Sequence, residues 1–346
     1  MKVKWSQNKN RVWLHTSKGN YYFDMPSYFN IKNVSPSLKN LVLIVLFGLY
    51  EKKVWDLDVT RQKGTKIGLC YSGGIDSTGA LALLPKKDTY LYFLHRTGIP
   101  TKLLKQENHL NIMRKLKIDK YNVIINSTNS ELLRTKYNKY AGHCSEYHVG
   151  IGLILLADYL KLGYFATGTP CGGLYLTQSR KYRNFSKTGF WSKWGSLFAK
   201  AGLEIFYPVG GVSEVITSKI ANIEFPRMAM SCVRGEKGKS CNKCIKCFRK
   251  TLILGKRLPP SFETKGLMKK RPLKMGNIYV YCAKKYKLKM PEIADLMHFD
   301  VSFTEQYYPK ALEILPPEFR EEIKAGWEKY CNPIENIESF EKYDIT

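Results

Sequence analysis

The stretch Tyr71-Ser72-Gly73-Gly74-Ile75-Asp76-Ser77-Thr78 has the residue types of a phosphate cradle. Two adjacent glycines let backbone approach a ligand closely, and the first turn of a helix leaves N–H groups unpaired and pointing outward. The hydroxyls of Ser72, Ser77 and Thr78 and the positive end of the helix add to that attraction. Asp76 would be misplaced against bare phosphate. It fits as a ligand for Mg²⁺ on a polyphosphate, because magnesium usually takes one or two carboxylates and fills its other positions with phosphate oxygens and water. A second cluster, Cys232, Cys241, Cys244 and Cys247, has the spacing C-x8-C-x2-C-x2-C. Four thiolates at such spacing close a tetrahedral zinc site with no open position, a structural rather than a catalytic centre. The run from Cys241 to Cys247 also has ferredoxin-like spacing, so an iron–sulfur cluster and unliganded thiols stay open. A zinc tetrathiolate carries net −2, and Arg234, Lys237, Lys239, Lys243, Lys246, Arg249 and Lys250 around it offset that charge.

The elements that must position these residues read as an α/β pattern. Ile67 to Tyr71 is an apolar run of strand length, and Gly79 to Leu84 favours helix. Thr89 to His95, Tyr121 to Asn126 and Tyr164 to Thr167 read as further strands, with helices over Lys102 to Leu116 and Glu146 to Leu162 between them. Alternation of this kind predicts a doubly wound parallel sheet with ligands at the carboxyl ends of its strands. His95, Arg96 and the Thr167-Gly168-Thr169 turn then share an edge with the glycine loop. Before this core, residues 1–33 alternate apolar and polar as a β-hairpin or small meander, a helix is expected from Leu38 to Lys53, and Trp55 to Lys63 reads as a linker. The division expected is an N-terminal extension over 1–64, a core with the cysteine motif over 65–255, and a helical region over 256–346. Segments at 292–297 and 319–330 of that last region are amphipathic.

Two other stretches carry candidate chemistry. His143, Cys144 and His148 resemble metal ligands, but only Glu146 is near to complete a set, and capping and packing roles are favoured. Residues 180–200 hold Arg180, Lys181, Arg183, Lys187, Lys193 and Lys200 without one acid, interleaved with six aromatics. That mixture suits a nucleic-acid backbone with stacked bases or a lid over one flat heterocycle, with Arg180, Lys181 and Arg183 as substrate contacts. It equally suits a basic loop over a partly buried aromatic patch.

The formal charge of +27 is unevenly placed. Residues 291–346 hold 13 acidic and 5 basic side chains, which leaves 51 basic against 16 acidic over residues 1–290. A nucleic acid or an acidic protein is the natural partner of such a surface, although a lysine-rich proteome would raise the same count. The acidic end suits docking on the basic core of its own subunit or of a second copy in a homodimer. Nine cysteines, four of them at metal spacing, and a start without a secretory pattern predict a cytoplasmic protein. The apolar run Leu41 to Tyr50 is too short to cross a bilayer, so no membrane role is expected.

The order Ser72-Gly73-Gly74-Ile75-Asp76-Ser77 after a strand resembles the PP-loop of the ATP pyrophosphatases, which cleave ATP between the α and β phosphates. It lacks the lysine of a Walker loop and the spacing of a dinucleotide fingerprint. Together with C-x8-C-x2-C-x2-C about 150 residues on, it resembles the zinc-binding 7-cyano-7-deazaguanine synthase family over roughly residues 66–255. The resemblance implies that ATP adenylates the carboxylate of 7-carboxy-7-deazaguanine, that ammonia then yields an amide and a nitrile, and that ATP, Mg²⁺ and Zn²⁺ are the cofactors. Ser72, Asp76 and Ser77 take the catalytic role. Tyr71 to Thr78 with His95, Thr167 and Gly168 hold the nucleotide, and Cys232, Cys241, Cys244 and Cys247 hold zinc. Tyr207-Pro208-Val209 falls where that family has a proline-containing strand. The chain departs from the family at His95-Arg96-Thr97-Gly98, where an Asp-Tyr-Gly-Gln turn is usual, and in the basic stretch from Arg180. Those departures and the two extensions point to a diverged member that passes an activated acid to ammonia or to a macromolecule, in nucleic-acid modification or antiviral defence. A PP-loop tRNA thiolase, using Cys70, Cys144 or Cys171, and a non-catalytic nucleotide-binding regulator are the alternatives.

Overall fold

The computed structural model describes residues 2–51, 55, 57, 61–100 and 104–346. Its centre is an eight-stranded sheet in the order β1-β2-β3-β6-β5-β4-β7-β10. The strands are β1 (Val3–Asn8), β2 (Arg11–Thr16), β3 (Gly19–Asp24), β4 (Lys66–Cys70), β5 (Thr89–Arg96), β6 (Asn122–Thr128), β7 (Leu162–Thr167) and β10 (Glu204–Phe206), while β8 (Leu176–Thr177) and β9 (Lys181–Tyr182) form a small separate hairpin. From β6 to β10 every neighbouring pair is parallel. The apolar runs explain this part: Ile67, Leu69, Leu91 and Ala166 are fully buried, as strands covered on both faces require.

The chain runs outward from β4 through β5 to β6, then returns to lay β7 on the other side of β4. Right-handed crossovers in the two directions place helices on opposite faces. Helix Ile75–Ala82 packs against Glu214–Glu224 on one face, and Pro36–Phe47 packs against Ile151–Leu155 and Gly189–Lys200 on the other. The direction reverses between β4 and β7. That is where an open sheet of this kind offers a crevice at its carboxyl edge.

The N-terminal meander is a continuation of the main sheet, since β3 pairs antiparallel with β6 through Phe23 opposite Thr128 and Asp24 opposite Ser127. The helix expected from Leu38 begins at Pro36 and ends at Phe47, with nine of its twelve residues buried. Residues 52–54, 56, 58–60 and 101–103 lie outside the described residues, and with them most of the linker and the start of the helix expected at Lys102, which is described over Glu107–Ile118.

One expected helix is absent as a single piece. Glu146–Gly150 is a 3₁₀ segment, Ile151–Leu155 a short α-helix, and β7 already begins at Leu162. Gly150 and Gly152 weaken the helix, and both are needed for close packing: a Cβ at Gly150 would lie 2.3 Å from the Phe165 ring, and one at Gly152 2.5 Å from the Tyr92 hydroxyl. The strand anticipated at Tyr207-Pro208-Val209 is displaced to Glu204–Phe206, because proline cannot donate to the ladder.

The acidic C-terminal region packs on the core of its own chain. Ion pairs join Lys63 to Glu318 at 3.2 Å, Lys181 to Asp344 at 2.7 Å and Lys329 to Glu224 at 2.6 Å. These are exposed pairs, worth about 0–1 kcal/mol each. Apolar burial is the stronger term. Trp327 is fully buried, donates from Nε1 to the Pro208 carbonyl at 2.8 Å, and lies so close to Gly211 that a Cβ there would be 2.6 Å from its ring. No described helix is long and apolar enough to cross a membrane.

Candidate functional site

The glycine loop leaves β4 at Cys70 and enters helix Ile75–Ala82 at Gly74, as its sequence predicts. Gly73 takes φ +71°, a conformation open to glycine. Ser77 Oγ donates to the Gly74 carbonyl at 2.9 Å and lies 3.1 Å from Ser72 Oγ, while Gly74 N donates to Ser72 Oγ at 3.2 Å. The hydroxyls thus hold the loop's shape. Thr78 is buried beneath it, with its hydroxyl 2.9 Å from that of Tyr71. Opposite stands the turn after β7, where a Cβ at Gly168 would lie 2.6 Å from Ser77 Cα. Two backbones meet there without room for a side chain.

A cavity of about 320 Å³ opens at this crevice, within the range usual for small-molecule sites. Tyr71, Ser72, Gly74, Asp76, Ser77, Arg96, Thr167 and Gly168 line it, as do Gln106, His109, Glu146 and Lys246, which were not predicted there. His95 does not. Strand alternation turns it away from Leu94 and Arg96, and its Nδ1 lies 2.9 Å from Ser127 Oγ on β6. Arg180, Lys181 and Arg183 are also away from the cavity. Arg183 donates to the carbonyls of Leu174 and Gly173 at 2.5 and 2.8 Å, Lys181 pairs with Asp344, and the Arg180 carbonyl accepts from Ile345 N. Lys181 and the Arg180 backbone pin the C-terminus, while Arg183 holds the Gly173–Leu174 turn. Farther along, Trp194 and Phe198 are buried around Tyr147 and Phe185 against Tyr175 and Tyr207, while Lys187, Lys193 and Lys200 face solvent.

Asp76 is the most heavily constrained residue of the loop. Its Oδ1 accepts from Thr217 Oγ1 at 2.8 Å and from Lys250 Nζ at 3.0 Å, which leaves Oδ2 as the oxygen available to a cation. Lys250 is buried and also pairs with Glu214 at 2.7 Å, and Arg249 reaches Glu214 at 2.9 Å. Burial disfavours the Glu214 carboxylate, but Lys250 and Arg249 outweigh it and hold its pKa down at about 2.

Arg249 and Lys250 belong to helix Ile245–Ile253, whose N-cap is Cys244, so they serve the loop more directly than the cysteines they were expected to neutralise. The four cysteine sulfurs lie within 4.8 Å of one another, with Cys241 and Cys244 at 3.7 and 3.4 Å from Cys247. A tetrahedral zinc with bonds of about 2.3 Å sets its sulfurs about 3.8 Å apart. The cluster can therefore hold a metal ion such as zinc. An iron–sulfur cluster interposes its own irons and sulfides and needs a wider set. Burial works against ionising Cys241, but the N–H groups of Lys243 and Cys244 overcome it and draw the thiol down to about 6.

The cysteine segment is stitched to the glycine loop on its other side too. Met230 N donates to the Gly73 carbonyl at 2.7 Å, Ile75 N donates to Ser231 Oγ at 3.2 Å, and His109 Nε2 donates to the Met230 carbonyl at 2.8 Å. Two motifs far apart in the chain are one structural unit.

His143, Cys144 and His148 are not a metal set: among the described residues the four cysteines are the one group placed to hold an ion. His148 is fully buried, and its Nδ1 accepts from Cys144 N at 3.0 Å, so Nε2 carries the proton and donates to Ser130 Oγ at 2.7 Å. Burial, with His143 nearby, lowers its pKa to about 3. The unfolded chain therefore binds the proton first as pH falls below 6.5, and stability drops until about pH 3. We expect denaturant melts to lose about 2 kcal/mol from this group between pH 6.5 and 5, at about 1.4 kcal/mol per pH unit, and a His148→Gln variant to lose that slope.

Residues 193–343 match the model of a family described as "Family of unknown function (DUF6395)". The matched span begins inside helix Gly189–Lys200 and takes in β10, the cysteine cluster and nearly all of the acidic end, but not the glycine loop. No curated protein and no solved structure matches the chain.

Proposed function

We propose that the chain is an ATP pyrophosphatase that adenylates a carboxylic acid and releases pyrophosphate. The observation that carries this reading is the Ser72–Thr78 loop at the reversal point of the sheet, facing a cavity of about 320 Å³, with Asp76 Oδ2 unpartnered among the described residues. The PP-loop resemblance implies the bond cleaved, and the resemblance of loop and four-cysteine spacing together to the 7-cyano-7-deazaguanine synthase family implies the substrate class, a deazaguanine-type carboxylate. The acceptor is ammonia or a macromolecule.

The loop's backbone and the Ser72 hydroxyl bind the phosphates, and the first-turn N–H groups beyond Ile75, whose own N–H is held by Ser231, face the charge that develops on them. Asp76 would hold Mg²⁺, which supplies charge neutralisation at the phosphates. No nucleophilic side chain is required, because the acid itself attacks the α-phosphorus and pyrophosphate leaves. The cysteine centre has no open coordination position and acts as a mount.

Product analysis tests the bond cleaved. Incubation with ATP, Mg²⁺ and a carboxylate substrate is expected to give AMP and pyrophosphate, while ADP and phosphate would refute the reading. Gly168→Ala supplies a second check, since its Cβ would meet backbone rather than a movable side chain. We expect ATP affinity to fall at least about tenfold in calorimetric titration, as the two turns are forced apart.

A further inference from the structure

The glycine loop carries no lysine of its own, yet a bound triphosphate brings several negative charges into a cavity that also contains Asp76 and Glu146. Most nearby cations are already engaged. Arg96 makes a two-point contact with Glu131, at 2.7 Å through both nitrogens. Lys250 lies between Asp76 and Glu214, Arg249 is on Glu214, and Lys105 is on Glu236. Lys246 lines the cavity and has no carboxylate within 4.0 Å among the described residues. It stands one helical turn before Lys250 and therefore on the same side of helix Ile245–Ile253. Lys250 fixes that side against Asp76, so Lys246 stands beside the position of a metal-bound polyphosphate.

Its backbone is held from both directions. Lys246 lies between Cys244 and Cys247, two of the clustered sulfurs, and the helix that carries it is anchored through Lys250 and Arg249. We propose that Lys246 is the polyphosphate-binding cation of this site, supplied by the cysteine segment in place of the lysine that the glycine loop lacks. The proposal rests on the adenylation reading and adds the residue that distinguishes a triphosphate from a monophosphate there. The rival role for Lys246 is to offset the charge of the metal centre. That role would make it matter for metal retention and not for the number of phosphates.

The test is calorimetric binding of a non-hydrolysable ATP analogue and of AMP, each with Mg²⁺, to the full-length protein and to Lys246→Met and Lys246→Arg, with zinc content measured on every sample. Loss of one charge-assisted contact is expected to weaken the ATP analogue about tenfold to a hundredfold in Lys246→Met. AMP affinity and zinc content should be unchanged, and Lys246→Arg should recover most of the loss. Wild-type affinity for the ATP analogue in Lys246→Met overturns the proposal alone, as does an equal loss for both nucleotides or a loss that tracks zinc. Failure of the wild-type protein to bind the ATP analogue overturns the adenylation reading as well.

Discussion

Replacing Asp76 by asparagine is expected to reduce pyrophosphate release about a thousandfold and to cost less stability than loss of Glu214, because Lys250 keeps that second carboxylate. Asparagine keeps an oxygen that can accept from Thr217 Oγ1 and Lys250 Nζ, the two donors on Asp76 Oδ1 at 2.8 and 3.0 Å. What it loses is the carboxylate charge shared by both oxygens, and with it Oδ2, which has no hydrogen-bond donor among the described residues. A magnesium ion bound through one carboxylate depends on that charge, and its loss forfeits several kcal/mol of transition-state stabilisation. Steady-state rates at saturating ATP, read beside a urea melt of the same preparation, check both parts. A variant within tenfold of wild type would show that Asp76 has no part in holding the metal.

The largest effect on folding is expected at Glu214. Its carboxylate is 3% exposed and is shared by Lys250 and Arg249 at 2.7 and 2.9 Å. Glu214→Ala would leave Arg249 with no carboxylate partner among the described residues and Lys250 with Asp76 alone, and breaking a buried pair from one side typically costs about 3–5 kcal/mol. The pH dependence has a definite sign. Burial raises the Glu214 pKa, but Lys250 and Arg249 lower it further, so the folded value is about 2 against an ordinary 4.5. A depressed acid stabilises the fold fully above its unfolded pKa and loses that contribution as pH falls toward the folded one. Wild-type and Glu214→Ala stabilities should therefore differ most above about pH 4.5 and converge toward pH 2. Parallel curves through that window would contradict the assignment. Catalysis should fall in the same variant at neutral pH, because Lys250 loses its second anchor and Asp76 its fixed orientation.

Local signals made the loop, the cysteine cluster and the parallel strands readable in the sequence. Each depends on neighbours within a few residues: glycines before a helix, thiols at x2 spacing, apolar runs between turn residues. What could not be read depends on partners brought together by the fold. Nothing near Asp76 announces Lys250 or Thr217, and nothing near Gly73 announces Met230. Lys250 was visible as a basic residue after the last cysteine, but its burial between two carboxylates follows from the docking of helix Ile245–Ile253. Arg180, Lys181 and Arg183 had the composition of a substrate loop, and the C-terminal residues Tyr343 to Ile345 that engage this hairpin lie some 160 residues later. The broken helix after β6 was signalled by Gly150 and Gly152, which an otherwise apolar run from Val149 to Leu156 obscured.

The cysteine segment reaches the glycine loop through Met230 and Ser231 before Cys232, and through Lys250 after Cys247. Holding the four sulfurs together therefore also sets the distance between those two attachments. If the cluster holds an ion, its removal is expected to disturb the glycine loop more than the sheet, whose core lies elsewhere.

The central claim is tested most directly by pyrophosphate release from ATP with 7-carboxy-7-deazaguanine present or absent, using the zinc-replete protein and Asp76→Asn as the blank. Release stimulated by the acid in wild type and lost in the variant is the predicted result. Release of phosphate instead of pyrophosphate, or no acid-dependent release when ATP is bound, would contradict adenylation of this class of carboxylate.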